Sequence, residues 1–97
     1  MKIEFHPLAD RELSEAGEFY EAQADGLGAD FVAEVERLLE VLATYPYIGR
    51  PAPTDLRTIP VRRFPYSLIY RVLPDVLRIL AVAHHRRRPR YWAGRSS

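Results

Sequence analysis

The fold is decided by residues 66–83, which read YSLIYRVLPDVLRILAVA. Two stretches rich in apolar and β-branched residues flank Pro74-Asp75, a pattern typical of two antiparallel strands joined by a two-residue turn. In that hairpin Arg71 lies opposite Arg78, and Tyr70 lies opposite Ile79. Because side chains alternate between the faces of a strand, one face is entirely apolar or aromatic, and we expect it to form the core. Its members are Tyr66, Leu68, Tyr70, Val72, Leu77, Ile79, Ala81 and Ala83.

The opposite face of this hairpin places two arginines at directly paired positions among apolar neighbours. Its members are Ser67, Ile69, Arg71, Leu73, Val76, Arg78, Leu80 and Val82. Paired like charges destabilise a sheet by a few tenths to about 1 kcal/mol unless an anion lies between them. The pattern therefore predicts a partner that carries negative charge and some apolar surface. The alternative is that a carboxylate of the same chain, from Asp55, Asp75 or a helix glutamate, neutralises the pair.

The N-terminal half predicts a short strand followed by two helices. Residues 2–5 alternate charged and apolar side chains, as a strand does. Pro7 favours the start of a helix, because proline lacks the N–H that the first helical turn would leave unpaired. Apolar residues then recur at helical spacing as far as Gly26, and again from residues 28–30 to Pro46. The short link between these two helices predicts an antiparallel helical hairpin.

Strand signals return after a proline-rich loop over residues 45–55. Residues 57–64 have strand character, and Pro60 places this strand at an edge or leaves one side of it exposed, because proline cannot donate to a ladder. With the terminal hairpin, the element order is βααβββ. The predicted fold class is α+β: one domain, residues 1–97, in which an antiparallel sheet carries the helical hairpin on one face.

Charge is divided unevenly along the chain. Residues 1–48 hold three basic and eleven acidic residues, a formal charge of −8, whereas residues 49–97 hold eleven arginines and two aspartates, a formal charge of +9. Two interpretations stay open: the halves neutralise each other within the domain, or the basic half binds a polyanion or an acidic peptide. The planar guanidinium of arginine favours bidentate recognition of carboxylate or phosphate.

Composition limits the classes of site and location. Cysteine is absent, which excludes disulfides and thiolate zinc sites and suits the reducing cytosol. No apolar run is long enough to span a bilayer, and residues 1–5 lack a secretory apolar segment, so we expect a cytoplasmic protein without a membrane partner. His84 and His85 are neighbours on a strand and point to opposite faces, so they do not predict a metal site. We expect no cofactor.

The C-terminal segment combines arginines with two large aromatic residues, Tyr91 and Trp92. Its arginines are Arg86, Arg87, Arg88 and Arg90. Such a basic and aromatic mixture can hold phosphates and stack bases. The interpretation we favour is that the two rings pack back onto the core while the arginines are solvated, since large rings usually bury most of their area.

Several motifs occur together along nearly the whole chain. They are Ala9 with a long acidic helix, Phe19-Tyr20-Glu21, Phe31, Leu42, Pro46 and Gly49, then Arg57, Phe64-Pro65-Tyr66, Ile69-Tyr70-Arg71-Val72, Ile79-Leu80-Ala81-Val82, His84, Arg87 to Pro89 and Tyr91-Trp92. In this order and at this length, the chain resembles the RelE/ParE superfamily of toxins from type II toxin–antitoxin systems. The resemblance implies a cognate antitoxin that holds the toxin inactive with an acidic and apolar C-terminal segment. That implied partner matches the one predicted by the two paired arginines.

The superfamily divides by mechanism. RelE-like members are ribosome-dependent ribonucleases, which need an acid, a base and cations around the phosphorane. Related RelE-like proteins carry lysines and an arginine at the positions that Thr58, Pro60 and Ser67 occupy here. The resemblance therefore implies ParE-like inhibition of DNA gyrase, with ribosome-dependent cleavage of mRNA as the alternative. A further alternative, from the arginine-rich half, is a non-toxic module that binds nucleic acid.

Candidate site residues follow from these alternatives. If the protein is a nuclease, an imidazole can act as acid or base near neutral pH. The weak catalytic candidates are Arg62, His84, Arg86 and Tyr91. The candidates for binding the antitoxin or the target are Arg57, Arg71, Arg78, Arg87 and Arg88.

Overall fold

A computed structural model describes residues 1–95, so the last two residues of the predicted domain lie outside the described part. Five strands and two helices follow one another along the chain. They are β1 (Lys2–Phe5), α1 (Pro7–Gln23), α2 (Leu27–Thr44), β2 (Arg50–Ala52), β3 (Leu56–Pro60), β4 (Tyr66–Val72) and β5 (Val76–His84). The strands form one sheet in the order β1-β5-β4-β3-β2. The α+β prediction, with the helical hairpin on one face of the sheet, is confirmed.

The sheet is mixed, whereas an antiparallel sheet was expected. Strands β2 to β5 form an antiparallel meander, but β1 pairs with β5 in parallel. Tight turns force consecutive strands of the meander to run in opposite directions. The two helices separate β1 from the other strands, so no turn fixes its direction, and it pairs along the free edge of β5 from Val76 to Ile79.

The predicted register of the terminal hairpin holds next to the turn and slips further along. Arg71 pairs with Arg78 and Tyr70 with Ile79, but Ile69 pairs with Ala81 because β5 contains a β-bulge at Leu80. The extra residue exchanges the faces of the strand beyond it. Contrary to prediction, Val82 joins the core beneath the helices, while Ala81 and Ala83 lie on the other face.

Two apolar clusters therefore cover the two faces of the sheet. The larger cluster lies between the sheet and the helices, and it includes a group of aromatic rings whose centroids are about 5 Å apart. Those rings belong to Tyr20, Phe31, Phe64 and Tyr66. The smaller cluster lies on the opposite face, which we call the free face, and Tyr91 and Trp92 pack against it. The prediction that Tyr91 and Trp92 pack back onto the domain is therefore confirmed.

The predicted loop over residues 45–55 contains a short strand, β2, which the sequence did not indicate. β2 is an edge strand, a place where Pro51 is tolerated because its missing N–H breaks no interior ladder. The strand predicted over residues 57–64 ends earlier, at Pro60. A tight turn follows, in which the Val61 N–H donates to the Tyr66 carbonyl at 2.8 Å and Arg63 has a positive φ of 74°.

The first helix begins at Pro7, as the sequence predicts, and the second begins at Leu27, one residue before the predicted range of 28–30. Pro7 is the first residue of α1, and the Leu8 N–H donates to Nδ1 of His6 at 3.0 Å. At the start of α2, the Glu21 carboxylate of α1 accepts the N–H groups of Gly26 and Gly28 at 2.8 and 3.0 Å. These hydrogen bonds lower the pKa of Glu21 below its ordinary value. The carboxylate thereby satisfies N–H groups that a helix start leaves unpaired.

Gly28 lets α1 and α2 approach closely, because its missing side chain leaves room for the backbone of α1 at Gly17. A Cβ at this position would overlap the carbonyl oxygen of Gly17, so Gly28→Ala should lower the free energy of unfolding by about 1–3 kcal/mol. The matched control is Gly17→Ala, whose Cβ would make an ordinary 3.5 Å contact with Val32. Urea unfolding of both variants measures the difference, and equal stabilities would show that the helices separate without cost.

Candidate functional site

The paired arginines Arg71 and Arg78 lie on the free face, as predicted. Nη1 of Arg78 is 3.4 Å from a carboxylate oxygen of Glu4, and Nη2 of Arg71 donates to the Thr54 carbonyl at 3.3 Å. The other oxygen of Glu4 is 3.4 Å from Nζ of Lys2. The neutralising carboxylate therefore comes from β1, and not from Asp55, Asp75 or a helix.

One carboxylate does not neutralise this group of charges. Glu4 faces both Lys2 and Arg78, while within residues 1–95 the one hydrogen-bond partner of the Arg71 side chain is a carbonyl oxygen. The Arg78 side chain is 19% exposed, and its Nε is buried without a hydrogen-bond partner in the part of the chain that the structure describes. A buried N–H without a partner is costly and is satisfied when an acceptor arrives. The free face is thus left positively charged at this end of the hairpin.

Arg57, another predicted binding residue, holds the loop after α2. Its Nη1 donates to the carbonyls of Tyr47 and Gly49 at 3.1 and 2.8 Å, and its guanidinium lies 5.1 Å from the centre of the Tyr47 ring. Together with Arg71 it lines a cavity of about 570 Å³, which Asp55 also borders. Arg57 therefore stabilises the loop after α2, whether or not it also contacts a partner.

The same loop is anchored from below by the buried hydroxyl of Tyr70. The hydroxyl donates to the Pro46 carbonyl at 2.8 Å and accepts the Gly49 N–H at 2.9 Å. Burial is the main cause that raises the pKa of Tyr70. Three side chains of this loop remain more than half exposed and line a shallow apolar pocket, and one of them, Tyr47, also lines the cavity of Arg57 and Arg71. They are Tyr45, Tyr47 and Ile48.

The other end of the free face contains a cleft of about 540 Å³. Its lining includes Thr58, Pro60 and Ser67, the three positions at which the resemblance to RelE-like nucleases implies cationic side chains. All three are uncharged here. Cations lie instead on Arg50 and Arg87, and Ser67 Oγ is hydrogen-bonded to Nε2 of His85 at 2.9 Å.

The structure brings only two of the four catalytic candidates together. His84 and Tyr91 line a separate cavity of about 270 Å³, which Arg62 and Arg86 do not line. Nδ1 of His84 accepts the Arg86 N–H at 3.0 Å, and the ring meets that of Tyr66 edge-on. The Arg62 and Arg86 side chains are exposed. The four residues therefore do not form one constellation.

Tyr91 is committed to a contact that the sequence did not indicate. Its hydroxyl donates to the Glu12 carboxylate at 2.8 Å, and burial, followed by this hydrogen bond, raises its pKa. Nη1 and Nη2 of Arg95 donate to the same carboxylate at 2.9 and 2.8 Å, and the Val82 N–H donates to it at 2.9 Å. Nη1 of Arg95 also donates to the Leu80 carbonyl at 2.9 Å. We call Glu12, Tyr91 and Arg95 the C-terminal clasp.

The sequence does not indicate the clasp, because Glu12 is one of several acidic residues along the helix predicted from Pro7. The side chains of Glu12 and Arg95 are in fact 13% and 12% exposed. Burial opposes ionisation of Glu12, but the hydrogen bonds from Arg95, Tyr91 and Val82 outweigh it and lower its pKa. The hydrogen bond to Glu12 is the largest cause that raises the pKa of Arg95.

The remaining predicted arginines lie near the clasp. The Arg87 guanidinium lies 4.0 Å from the centre of the Tyr91 ring and borders both the cleft and the smaller cavity. Arg88 is exposed. The five predicted binding arginines thus fall into two groups, one near the turn of the terminal hairpin and one beyond the end of β5.

Within residues 1–95, no three histidine, cysteine, aspartate or glutamate side chains are grouped so that they could hold a metal ion. No helix in the same range is long and apolar enough to cross a membrane.

Known proteins resemble this chain in sequence and in fold. Residues 3–89 match a family model described as the ParE toxin of type II toxin-antitoxin system, parDE. Over 84 residues, or 86% of each chain, the sequence is 34% identical to Y4kP, a candidate toxin of Sinorhizobium fredii strain NBRC 101917 / NGR234. The fold is similar to that of a chain in the chromosomal ParDE TA system from P. aeruginosa, with a TM-score of 0.73 and 21% identity, covering 87% of this chain and 95% of that one.

The clasp gives a prediction on stability and pH. At pH 7, Glu12→Gln should lower the free energy of unfolding by about 1.5–3 kcal/mol, because hydrogen bonds to a charged group are lost and Arg95 stays buried. The folded-state pKa of Glu12 lies below its ordinary value of 4.5, so its contribution is complete above that pH and is lost as the pH falls through the lowered pKa. The difference between wild type and variant should therefore shrink in acid.

Urea unfolding at pH 7 and below pH 4 measures this difference. The matched control is Glu15→Gln, an exposed position on the same helix, which should change stability by less than about 0.5 kcal/mol. If both variants are equally stable at pH 7, the clasp does not stabilise the fold.

Proposed function

Because the chain belongs to the ParE toxin family of type II toxin–antitoxin systems, we propose that it arrests bacterial growth by inhibiting DNA gyrase. The observation that carries this proposal is the uncharged lining at Thr58, Pro60 and Ser67 in the free-face cleft. The protein is a toxin of this family whichever target it acts on, so the question is whether that target is DNA gyrase or mRNA. We place the action in the cytoplasm, where gyrase acts.

Cleavage of RNA is less well supported by the arrangement of side chains. Attack of a 2′-hydroxyl develops negative charge on the phosphorane, which cations must stabilise at the reacting phosphate. The side chains of Thr58, Pro60 and Ser67 supply no cation next to His85, and Arg62 and Arg86 do not line the cavity of His84 and Tyr91. Tyr91 itself is hydrogen-bonded to Glu12, which makes it a poor proton donor to a substrate.

Members of this family act with a cognate antitoxin, and the free face offers it a docking surface around Arg71 and Arg78. This surface carries two guanidiniums against one carboxylate, a buried Nε without an acceptor, and exposed apolar rings on the neighbouring loop. A segment with carboxylates and apolar side chains satisfies both features. We therefore assign to this surface the acidic, apolar C-terminal segment of the antitoxin, with Arg57 at its border.

Expression of the chain without an antitoxin should arrest growth, and coexpression of the antitoxin encoded next to it should restore growth. In extracts, the purified toxin should block supercoiling by gyrase or cause broken DNA to accumulate, while mRNA under translation stays intact. Translation-dependent cuts in mRNA would overturn the gyrase proposal in favour of the nuclease. Normal growth at a confirmed level of protein would contradict toxic activity altogether.

The docking surface can be tested by charge reversal. The double variant Arg71→Glu, Arg78→Glu should weaken antitoxin binding by about 2–5 kcal/mol, or roughly 30-fold or more, because like charges replace complementary ones at the interface. The control with the same change in net charge is Arg11→Glu, Arg37→Glu, since both of these arginines are exposed on the helices.

Titration calorimetry measures both affinities, and circular dichroism verifies that each variant is folded. Because Arg78 pairs with Glu4, the single variant Arg71→Glu tests the surface without removing that ion pair. If the double variant and its control bind the antitoxin equally well, the antitoxin docks elsewhere.

A further inference from the structure

The free-face cleft has an electrostatic character of its own. Its lining includes two arginines, Arg50 and Arg87, and His85, and none of the residues lining it is an aspartate or a glutamate. Neither arginine forms an ion pair with any of residues 1–95. The cavity beside Arg57, in contrast, contains Asp55. The cleft is therefore suited to an anion.

The interior of the cleft is suited to a flat apolar group. Ile69 and Ala83 are 3% and 5% exposed and form part of its apolar lining, while Trp92 packs on the same cluster of side chains. An indole face stacks on any nucleobase with little preference for its sequence. The volume of about 540 Å³ falls in the range of small-molecule pockets, which is roughly 300–1,000 Å³.

Polar groups of the lining complete the site. Ser67 Oγ and His85 Nε2 are 2.9 Å apart, and Thr58 lies on the neighbouring strand. These groups can form hydrogen bonds with the hydroxyls of a ligand. A ligand that combines an anion, a hydroxylated ring and a flat apolar ring matches all three parts of the cleft.

We propose that this cleft binds a nucleoside phosphate, with its base against Trp92 and Ile69, its sugar near Ser67 and His85, and its phosphate at Arg50 and Arg87. The ligand is either a free mononucleotide or one nucleotide of a single strand, because both present the same chemistry. Binding at this site does not require inhibition of gyrase. An acidic peptide fits less well, since a carboxylate side chain leaves the indole face and the apolar lining unfilled.

Trp92 is the only tryptophan of the chain, so its intrinsic fluorescence reports on the cleft directly. The full-length protein is titrated with AMP, adenosine, inorganic phosphate and an RNA tetranucleotide. AMP should change the fluorescence saturably, and adenosine and phosphate should each bind about tenfold or more weakly, because each lacks one half of the ligand. Tighter binding of the tetranucleotide than of AMP identifies a strand as the source, and equal binding identifies the free nucleotide.

Arg50→Gln should weaken AMP binding about tenfold, whereas the control Arg62→Gln, an exposed arginine outside the cleft, should not change it. Equilibrium dialysis with labelled AMP measures the same affinities independently of the indole. Three results would overturn the proposal: no binding of AMP or of the tetranucleotide at millimolar concentration, equal loss in both variants, or binding of only an aspartate-rich peptide. Each result is independent of the growth and gyrase assays, so the two proposals fail separately.

Discussion

The architecture depends on one extra residue in β5, the bulged Leu80. Before it the strand keeps the register set by the Pro74-Asp75 turn, and after it the side chains change faces. Val82 thereby fills the core beneath the helices, and the small residues Ala81 and Ala83 come to the free face. A bulge that bends the strand and changes its faces thus contributes to the cleft that the C-terminal segment borders.

The bulge also determines how the C-terminal segment is attached. β1 pairs with β5 only as far as Ile79, so the edge beyond it has no partner strand. The Glu12 carboxylate accepts the Val82 N–H, and the Arg95 guanidinium donates to the Leu80 carbonyl. These two side chains thus satisfy backbone groups of β5 that a neighbouring strand would otherwise pair. Tyr91 donates to the same carboxylate, so these contacts also hold its ring in place against Trp92, which lines the cleft.

Part of the divided charge is neutralised within the domain, which was one of the two interpretations of the sequence. Glu4 pairs with Arg78 and Glu12 with Arg95, which joins the acidic half to the basic half within the domain. Arg57 and Arg71 instead donate to backbone carbonyls, and neither forms an ion pair with any of residues 1–95. This charge therefore lies on both sides of the sheet near the hairpin turn, because Arg71 is on the free face and Arg57, which pairs with Tyr70, is on the helix side.

The sequence predicted what local chemistry determines and missed what distant contacts determine. Pro7, Pro46 and the Pro74-Asp75 turn fix the helix ends and the hairpin register, so these were predictable. Residues 79–83 are all apolar, so alternation gives no sign of a slipped register, and the bulge could not be found from it. Glu12 lies on the polar side of its own helix, and only the fold brings Arg95, 83 residues away, to it.

The two proposals for this protein rest on where charge is placed within one fold. Holding a nucleotide requires cations that pair with its phosphate, whereas cleaving RNA also requires cations that stabilise the charge developing on the scissile phosphate. Arg50 and Arg87 meet the first requirement, and the uncharged Thr58 and Ser67 do not meet the second. Since fold alone does not determine chemistry, a few side chains on β3 and β4 separate a cleft that binds from one that cuts. The remaining arginines, near the hairpin turn, stay available for the antitoxin.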